Sequence, residues 1–181
     1  NVPRVALACF YADCVPLYFV DVVHHAIGLA HSGWRGTVQE MGACMVRAMR
    51  ETYHTRPEEL WAAIGPSICR DCYEVSGDVA EAFDVRFSDE EVGEGIRELK
   101  IVGSYHGRGV VTQGKARGKY QLDLWLANAI ILRRAGIPAK QIAITDICTC
   151  HNADYLFSHR ASYGKRGNLG AFLMLNEKKE S

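Results

Sequence analysis

The sequence is short of the features that would place it in a membrane, on nucleic acid or outside the cell. No apolar run in its 181 residues approaches the roughly 20 needed to span a bilayer. It also shows no signal-peptide pattern of basic, apolar and small residues. Lys+Arg and Asp+Glu both number 21, so no basic surface for nucleic acid is predicted. We therefore expect a cytoplasmic protein without a membrane or nucleic-acid partner.

Cysteine, in contrast, is frequent, but an odd number of thiols without a secretory signal argues against a disulfide framework. Buried thiols, metal ligands or a nucleophile are the remaining interpretations. The seven positions are Cys9, Cys14, Cys44, Cys69, Cys72, Cys148 and Cys150. The C-x-x-C pair at 69 and 72 has no second pair at zinc-ribbon spacing, so neither a redox nor a zinc role is predicted for it. Residues 148–151 and His159 could bind a metal. Alternatively, residues 148–150 form a plain strand, in which Cys148 and Cys150 lie on the same face.

Hydrophobic periodicity predicts strands and helices that mix without strict alternation. Apolar runs predict strands over 5–20 (interrupted by a turn at 12–16), 25–32, 61–65, 140–149, 155–162 and 167–175. Helical spacing predicts helices over 37–53, 76–87 and 123–135, with a helical turn after Pro57. Residues 88–120 are polar and glycine-rich, and are interpreted as a long excursion with a candidate lid. The expected fold is a single α/β (α+β) domain over 1–181, a layered sandwich with a mixed sheet and flanking helices.

Two apolar runs each deliver one side chain suited to a metal. Cys14 and His31 fall at predicted strand ends, where side chains project towards a cleft. Thiolate and imidazole bind Zn²⁺ or copper ions. The same two groups could form a nucleophile and base, because a nearby imidazolium lowers the pKa of a thiol. The spacing alone also permits a buried cysteine and an unrelated histidine.

The segment HSGWRGT, residues 31–37, predicts an anion site beside that pair. Gly33 and Gly36 allow a tight turn, and Thr37 is expected to begin a helix whose free N–H groups attract anions. Arg35 adds a planar fork suited to phosphate or carboxylate. A second basic loop follows at SHRASYGKRGN, residues 158–168, which is either a phosphate-contacting loop or a solvated basic edge.

Five segments together resemble the laccase-domain family. They are YADCVPLYFVD, HSGWRGT, AAIGPSICRDCYEV, DLWLANAIILRRAGIP and DICTCHNADYLFSHRASYGKRGNLGAF, and they cover nearly the whole chain. The resemblance implies a cysteine-hydrolase-like α/β fold that is not a cupredoxin. It also implies a metal site of one cysteine and two histidines, here Cys14, His31 and a histidine expected upstream of Asn1. We therefore expect that the domain lacks its N-terminal segment. Asn168 stands where many members have arginine.

Members of this family are described as purine nucleoside phosphorylases or as multicopper polyphenol oxidases. The resemblance implies zinc-dependent phosphorolysis of adenosine, inosine and methylthioadenosine with some adenosine deamination, so the expected partners are a purine nucleoside and phosphate. The expected catalytic residues are Cys14, His31, Asp13 and Arg35, and the expected phosphate contacts are Arg35, Gly36, Ser158, His159 and Arg160. A copper-dependent polyphenol oxidase is the alternative, although the seven histidines form no H-x-H pair. An inactive fragment or a partner-binding module is the third reading.

Overall fold

A four-stranded mixed sheet forms the centre of the fold. The computed structural model describes residues 1–87 and 109–177. In this sheet β2 (Val15–Asp21) lies between β3 (Ala26–Ser32) and β4 (Leu60–Ile64), both antiparallel to it. The edge strand β8 (Ile142–Ile144) runs parallel to β4. The strand order is therefore β3-β2-β4-β8, and the expected mixed sheet is confirmed.

Two smaller sheets flank the central one. The first strand, β1 (Ala6–Tyr11), pairs with the last, β9 (Leu169–Met174), in an antiparallel ribbon. A three-stranded antiparallel sheet has the order β5-β7-β6, and its strands are β5 (Glu74–Ser76), β6 (Val111–Gln113) and β7 (Lys119–Leu122). This arrangement of several small sheets is an α/β fold and not a cupredoxin barrel, as expected.

In residues 1–87 and 109–177, four helices cover the sheets, and α2 and α4 pack against each other. The helices are α1 (Trp34–Val38), α2 (Met41–Tyr53), α3 (Gly77–Asp84) and α4 (Leu124–Arg134). The clearest sequence prediction, α4, is confirmed: the Asp123 carboxylate accepts a hydrogen bond from the N–H of Leu126 at 2.9 Å, which caps the helix. Gly136, with φ of 98°, follows its end. None of the helices in the described ranges is long and apolar enough to cross a membrane.

Three of the predicted elements are wrong in detail. The helix expected over 37–53 is two helices, because Glu40 between them has a left-handed backbone with φ of 56°. The strand expected over 155–162 is a series of turns, and the strand expected over 140–149 ends at Ile144. Part of the excursion predicted over 88–120 folds into the β6–β7 hairpin, while 88–108 lie outside the described residues.

A single cluster of apolar side chains connects the central sheet to the flanking helices. It includes Leu17 and Ile64 from the central sheet, Phe83 from α3, Leu122 from β7 and Leu126 from α4. Each of these side chains is fully buried. The hydrophobic core thus holds β2 and β4 rigidly, and the ends of these strands support the loops described next.

Candidate active site

Cys14 and His31 converge above Gly33. The β2–β3 register pairs Val15 with Ser32 and Pro16 with His31, so the residue before β2 lies beside the residue after β3. A Cβ atom added to Gly33 would lie 2.9 Å from Cys14 Sγ and 4.0 Å from His31 Nε2. The two ligand atoms therefore border one small space that the missing side chain leaves open. Cys14 is half-buried and His31 is exposed, so this space faces solvent.

This geometry fits a bound Zn²⁺ or copper ion, since a thiol and an imidazole nitrogen face the same space. Within residues 1–87 and 109–177, no third cysteine, histidine or carboxylate completes a group with these two in which all atoms are within 4.8 Å. A nearby imidazolium was expected to lower the pKa of the Cys14 thiol, but in the structure this pKa is raised. Burial raises the pKa of its thiol, Asp13 raises it further, and Arg166 only partly offsets this. A raised pKa does not favour Cys14 as a free nucleophile.

Asp13, which precedes Cys14 in the sequence, is buried, and its hydrogen bonds are with residues of other loops. Its Oδ1 accepts a hydrogen bond from the Thr149 hydroxyl at 2.6 Å, and its Oδ2 accepts one from the backbone N–H of Arg160 at 2.7 Å. Its carbonyl oxygen accepts a third from the N–H of Ile68 at 3.0 Å. Both carboxylate oxygens are thus engaged within the protein. Asp13 joins three loops and fixes the backbone that leads into Cys14.

Arg160 lies next to Asp13, to which its backbone N–H donates, and its guanidinium forms hydrogen bonds within the protein. Its Nη2 donates to the carbonyl oxygen of Glu74 at 2.9 Å and its Nη1 to that of Cys72 at 3.4 Å. Its Cζ lies 5.3 Å from the centre of the Tyr73 ring, which is a cation–π distance. Arg160 therefore positions Tyr73 and the 158–160 loop, and a phosphate contact from it remains a prediction.

Tyr73 is a site residue whose importance the sequence indicated only weakly. Burial raises its pKa to about 12, the nearby Cys14 adds to the rise, and Arg160 opposes it. Asp13 raises the pKa of Tyr73 further, and Arg35 lowers it. The phenol is protonated at neutral pH and can donate a hydrogen bond.

Arg35 and Gly36 lie in α1, whose N-terminal boundary is Gly33 and not Thr37 as expected. Arg35 is exposed, and its Cζ lies 4.2 Å from the centre of the Trp34 ring. The buried Thr37 hydroxyl instead donates to the carbonyl oxygen of Gly33 at 3.0 Å.

The other predicted phosphate contacts lie in the turns that replace the expected strand. Ser158 is buried, and its hydroxyl accepts a hydrogen bond from the N–H of Ala161 at 3.1 Å, which holds the turn. His159 is exposed. Arg166, also exposed, acts on the Cys14 thiol and donates a hydrogen bond to the side-chain oxygen of Asn168.

A second cluster of potential metal ligands lies on the two loops that contain Ile68 and Thr149, both of which donate hydrogen bonds to Asp13. Its members are Cys69, Cys72, Cys148 and His151, and one ligand atom from each lies within 4.8 Å of all the others. The expectation that Cys148 and Cys150 share a strand face is wrong, because residues 145–152 form a loop and turn. The sequence predicted no zinc role for the C-x-x-C of Cys69 and Cys72, but the structure places these residues beside Cys148 and His151 of the C-x-C-H segment. Taken together, the two motifs contain the ligand types of a Cys₃His site, and this combination is the signal in the sequence that indicates the cluster.

Comparison with known proteins agrees with the fold and the motifs. Residues 1–176 match the family described as multi-copper polyphenol oxidoreductase laccase. The chain is 34% identical to purine nucleoside phosphorylase YlmD of Bacillus subtilis over 98% of this chain and 57% of that protein. It is 31% identical to a purine nucleoside phosphorylase of Bacteroides thetaiotaomicron over 97% of this chain and 58% of that protein. The structure of YlmD from Geobacillus stearothermophilus superposes with a TM-score of 0.79 at 32% identity, covering 97% of this chain and 59% of that one.

The chain thus spans somewhat over half the length of these relatives. The match nevertheless runs through both strands that deliver Cys14 and His31, and through the loops that contain Asp13, Tyr73 and Arg160. On sequence and fold together, the chain belongs to the multi-copper polyphenol oxidoreductase laccase family.

Proposed function

We propose that this chain carries the active site of a metal-dependent purine nucleoside phosphorylase that also deaminates adenosine. The observation that carries the proposal is the convergence of Cys14 Sγ and His31 Nε2 above Gly33, two residues before Arg35 in the sequence. The relatives from Bacillus subtilis and Bacteroides thetaiotaomicron are named purine nucleoside phosphorylases, which supports the same activity. The proposed substrates are adenosine, inosine and methylthioadenosine, with inorganic phosphate.

Phosphorolysis requires an anion held against the sugar. A phosphate oxygen forms a bond to C1′ of the ribose while the C1′–N9 bond breaks, and the purine leaves with its bonding electrons and takes up a proton. Arg35 is exposed beside the space above Gly33 and would bind the phosphate. Tyr73, whose pKa is raised to about 12 chiefly by burial, keeps its proton and would donate a hydrogen bond to the substrate.

Deamination replaces the amino group at C6 of the purine with oxygen from water and releases ammonia. Cys14 and His31 would hold a zinc ion, which would supply Lewis-acid chemistry for this water. The chain's own contribution is positional: Asp13 fixes the backbone before Cys14, and the β2–β3 pairing fixes His31. Arg160 holds the ring of Tyr73 at the wall of the same space.

A copper-dependent polyphenol oxidase is the second candidate, favoured by the thiol at Cys14, because soft sulfur ligands suit Cu(I). The family description points the same way. Against it, the sequence contains no H-x-H pair of the kind that multicopper oxidases use. The third candidate is a partner-binding module without catalysis.

The test measures free purine released from adenosine with and without phosphate, and oxidation of a phenolic dye, each with zinc or copper added. We expect phosphate-dependent base release that Cys14→Ser abolishes and that Cys44→Ser leaves unchanged, because the Cys44 thiol on α2 contacts Arg47 and the carbonyl oxygen of Gln39. Arg35→Ala is expected to raise the KM for phosphate by on the order of tenfold or more, from the loss of a charge-assisted hydrogen bond.

Three outcomes would contradict the proposal. Dye oxidation that follows copper and persists in Arg35→Ala supports the oxidase. Base release independent of phosphate indicates hydrolysis. If neither assay shows turnover with either metal, the result favours the third candidate, a partner-binding module without catalysis.

A further inference from the structure

Two loops bring four metal-ligating side chains together at a distance from the Cys14–His31 pair. Cys69 and Cys72 come from the short helical turn after β4, and Cys148 and His151 come from the loop after β8. Their sulfur and imidazole nitrogen atoms all lie within 4.8 Å of one another. Zn–S bonds of about 2.3 Å in a tetrahedron place the ligand atoms about 3.8 Å apart. Cys69 Sγ and His151 Nδ1 are already 3.8 Å apart.

The surroundings of the cluster suit bound thiolates. The backbone N–H of Cys69 lies 3.3 Å from Cys148 Sγ and that of His151 lies 3.5 Å from it, so two amides point at one sulfur. Such contacts from outside the ligand set orient and stabilise a metal-bound sulfur. Arg70, between the first two cysteines, is buried, and its Nη1 has no hydrogen-bond partner among the described residues. Three thiolates and Zn²⁺ carry one net negative charge, and Arg70, whose Nη2 already pairs with Asp71 at 3.1 Å, lines the same cavity.

The cluster is also reachable. Cys69, Cys148 and His151 line a cavity of about 180 Å³, which Arg70 and Asp123 also line. His151 itself is exposed. An ion can therefore enter without opening the hydrophobic core. All seven cysteines are free thiols in the structure.

We propose that Cys69, Cys72, Cys148 and His151 form a second, structural zinc site of the Cys₃His type. Four protein ligands fill the tetrahedron and leave no position for substrate, which distinguishes this site from one held by Cys14 and His31. The proposal does not depend on the function proposed above, because it concerns different side chains and a different loop pair.

The site would hold the two loops that support the candidate active site. Thr149, between two of the loop's cysteines, donates to Asp13, and the N–H of Ile68, next to Cys69, donates to the Asp13 carbonyl. The carbonyl oxygen of Cys72 accepts a hydrogen bond from Arg160. Zinc at this cluster would therefore fix the loops on which Asp13 and Arg160 depend.

The test counts zinc atoms per chain in a Cys14→Ser background, which removes the thiol of the other site. The chain is loaded with zinc alone and dialysed, and the metal is measured by atomic emission. We expect one zinc per chain with Cys14→Ser and none when Cys148→Ser is added. The matched control adds Cys44→Ser instead and keeps the zinc.

Cobalt substitution gives a second readout that does not involve catalysis. The sulfur-to-cobalt absorption band should fall by roughly one third for each thiolate removed from a Cys₃His site. His151→Ala, a change at an exposed turn residue, should weaken zinc binding by on the order of 100-fold. His151→Cys should restore binding and strengthen the cobalt band, so a failure of the cysteine variants to fold does not prevent the test.

Three results would overturn the proposal. The first is a Cys14→Ser chain that retains no zinc after dialysis. The second is zinc that persists undiminished in the Cys148→Ser double variant. The third is a thiol titration of the denatured chain that finds a disulfide between these cysteines.

Discussion

Asp13 shows how a single buried carboxylate can determine the geometry of a neighbouring ligand. Its backbone is left-handed, with φ of 77°, a conformation that aspartate tolerates better than most residues. The hydrogen bonds from Thr149 and Arg160 stabilise this backbone from both sides. The resulting turn directs Cys14 back towards β3. The expected catalytic role of Asp13 stays a prediction, and its contacts within the protein give it a positioning role.

Gly33 provides the sharpest prediction at the scale of single residues. In Gly33→Ala the new Cβ would lie 2.9 Å from Cys14 Sγ, well inside the roughly 3.5–4.0 Å of normal van der Waals contact. The thiol must move away from His31. We expect phosphate-dependent base release to fall by on the order of 100-fold, and cobalt bound at Cys14 to lose its sulfur-to-metal absorption.

Gly77→Ala is the matched control for this substitution. A Cβ there meets its nearest atom, in the ring of Tyr120, at 3.7 Å, which is ordinary contact. We expect this variant to keep both the activity and the absorption. The absorption is compared in a Cys148→Ser background, which removes a thiolate of the proposed second site. There, a Gly33→Ala chain with unchanged cobalt absorption would show that Cys14 and His31 do not share an ion.

At the scale of elements, the turn between β2 and β3 depends on Asp21. Its Oδ1 accepts hydrogen bonds from the N–H groups of Val23 and His24, and its Oδ2 accepts from His24 Nδ1 and the Thr55 hydroxyl. Burial alone would raise the pKa of this carboxyl, but these hydrogen bonds, led by that from Thr55, outweigh it and lower the pKa. Glu59 also faces His24, at 3.7 Å.

This lowered pKa predicts an acid-dependent loss of stability. Because the folded pKa lies below the unfolded value of about 3.9, the stabilisation is complete above that value and is lost as the pH falls through the folded pKa. Asp21→Asn removes the acceptor that serves His24 and Thr55. We expect it to lower the free energy of unfolding by about 2 kcal/mol at neutral pH and to flatten its decline below about pH 4.

Urea titrations at a series of pH values measure both effects. Asp84→Asn, at an exposed acid at the end of α3, is the control and should change neither. An Asp21→Asn chain that declines with pH as steeply as the parent would contradict the assignment.

The helices and strands also show where sequence patterns inform and where they fail. The cap at Asp123 and the apolar runs of β2, β3 and β9 are local features, and the structure confirms these elements. The break at Glu40 was missed, since the apolar spacing continues unchanged through α1 and α2 and one left-handed residue leaves no pattern. Residues 155–162 have the apolar and aromatic content of a strand but find no partner strand in the fold.

At the scale of the whole molecule, the parts that sequence could not predict are the long-range ones. The pairing of β1 with β9 joins the two ends of the described chain. Cys69 and Cys148 are 79 residues apart. The parallel pairing of β4 with β8 and the contacts of both loops with Asp13 bring them together. By contrast, Cys14 and His31 belong to adjacent antiparallel strands, so their proximity followed from a short connection.

The continuous core predicts that the sheets and helices unfold as one unit, consistent with a single domain. Leu17 in the central sheet and Phe83 in α3 belong to the same buried cluster and are both fully inaccessible to solvent.

We expect Leu17→Ala to lower the free energy of unfolding by about 2–5 kcal/mol and Phe83→Ala by about 3–5 kcal/mol. In each variant, far-UV circular dichroism and the fluorescence of the buried Trp125 should report one urea midpoint. Val85→Ala, at a side chain that is 81% exposed, should leave the midpoint within experimental error. If Phe83→Ala instead separated the two signals into different transitions, α3 and its small sheet would be a unit that folds apart from the sheet that holds Cys14 and His31.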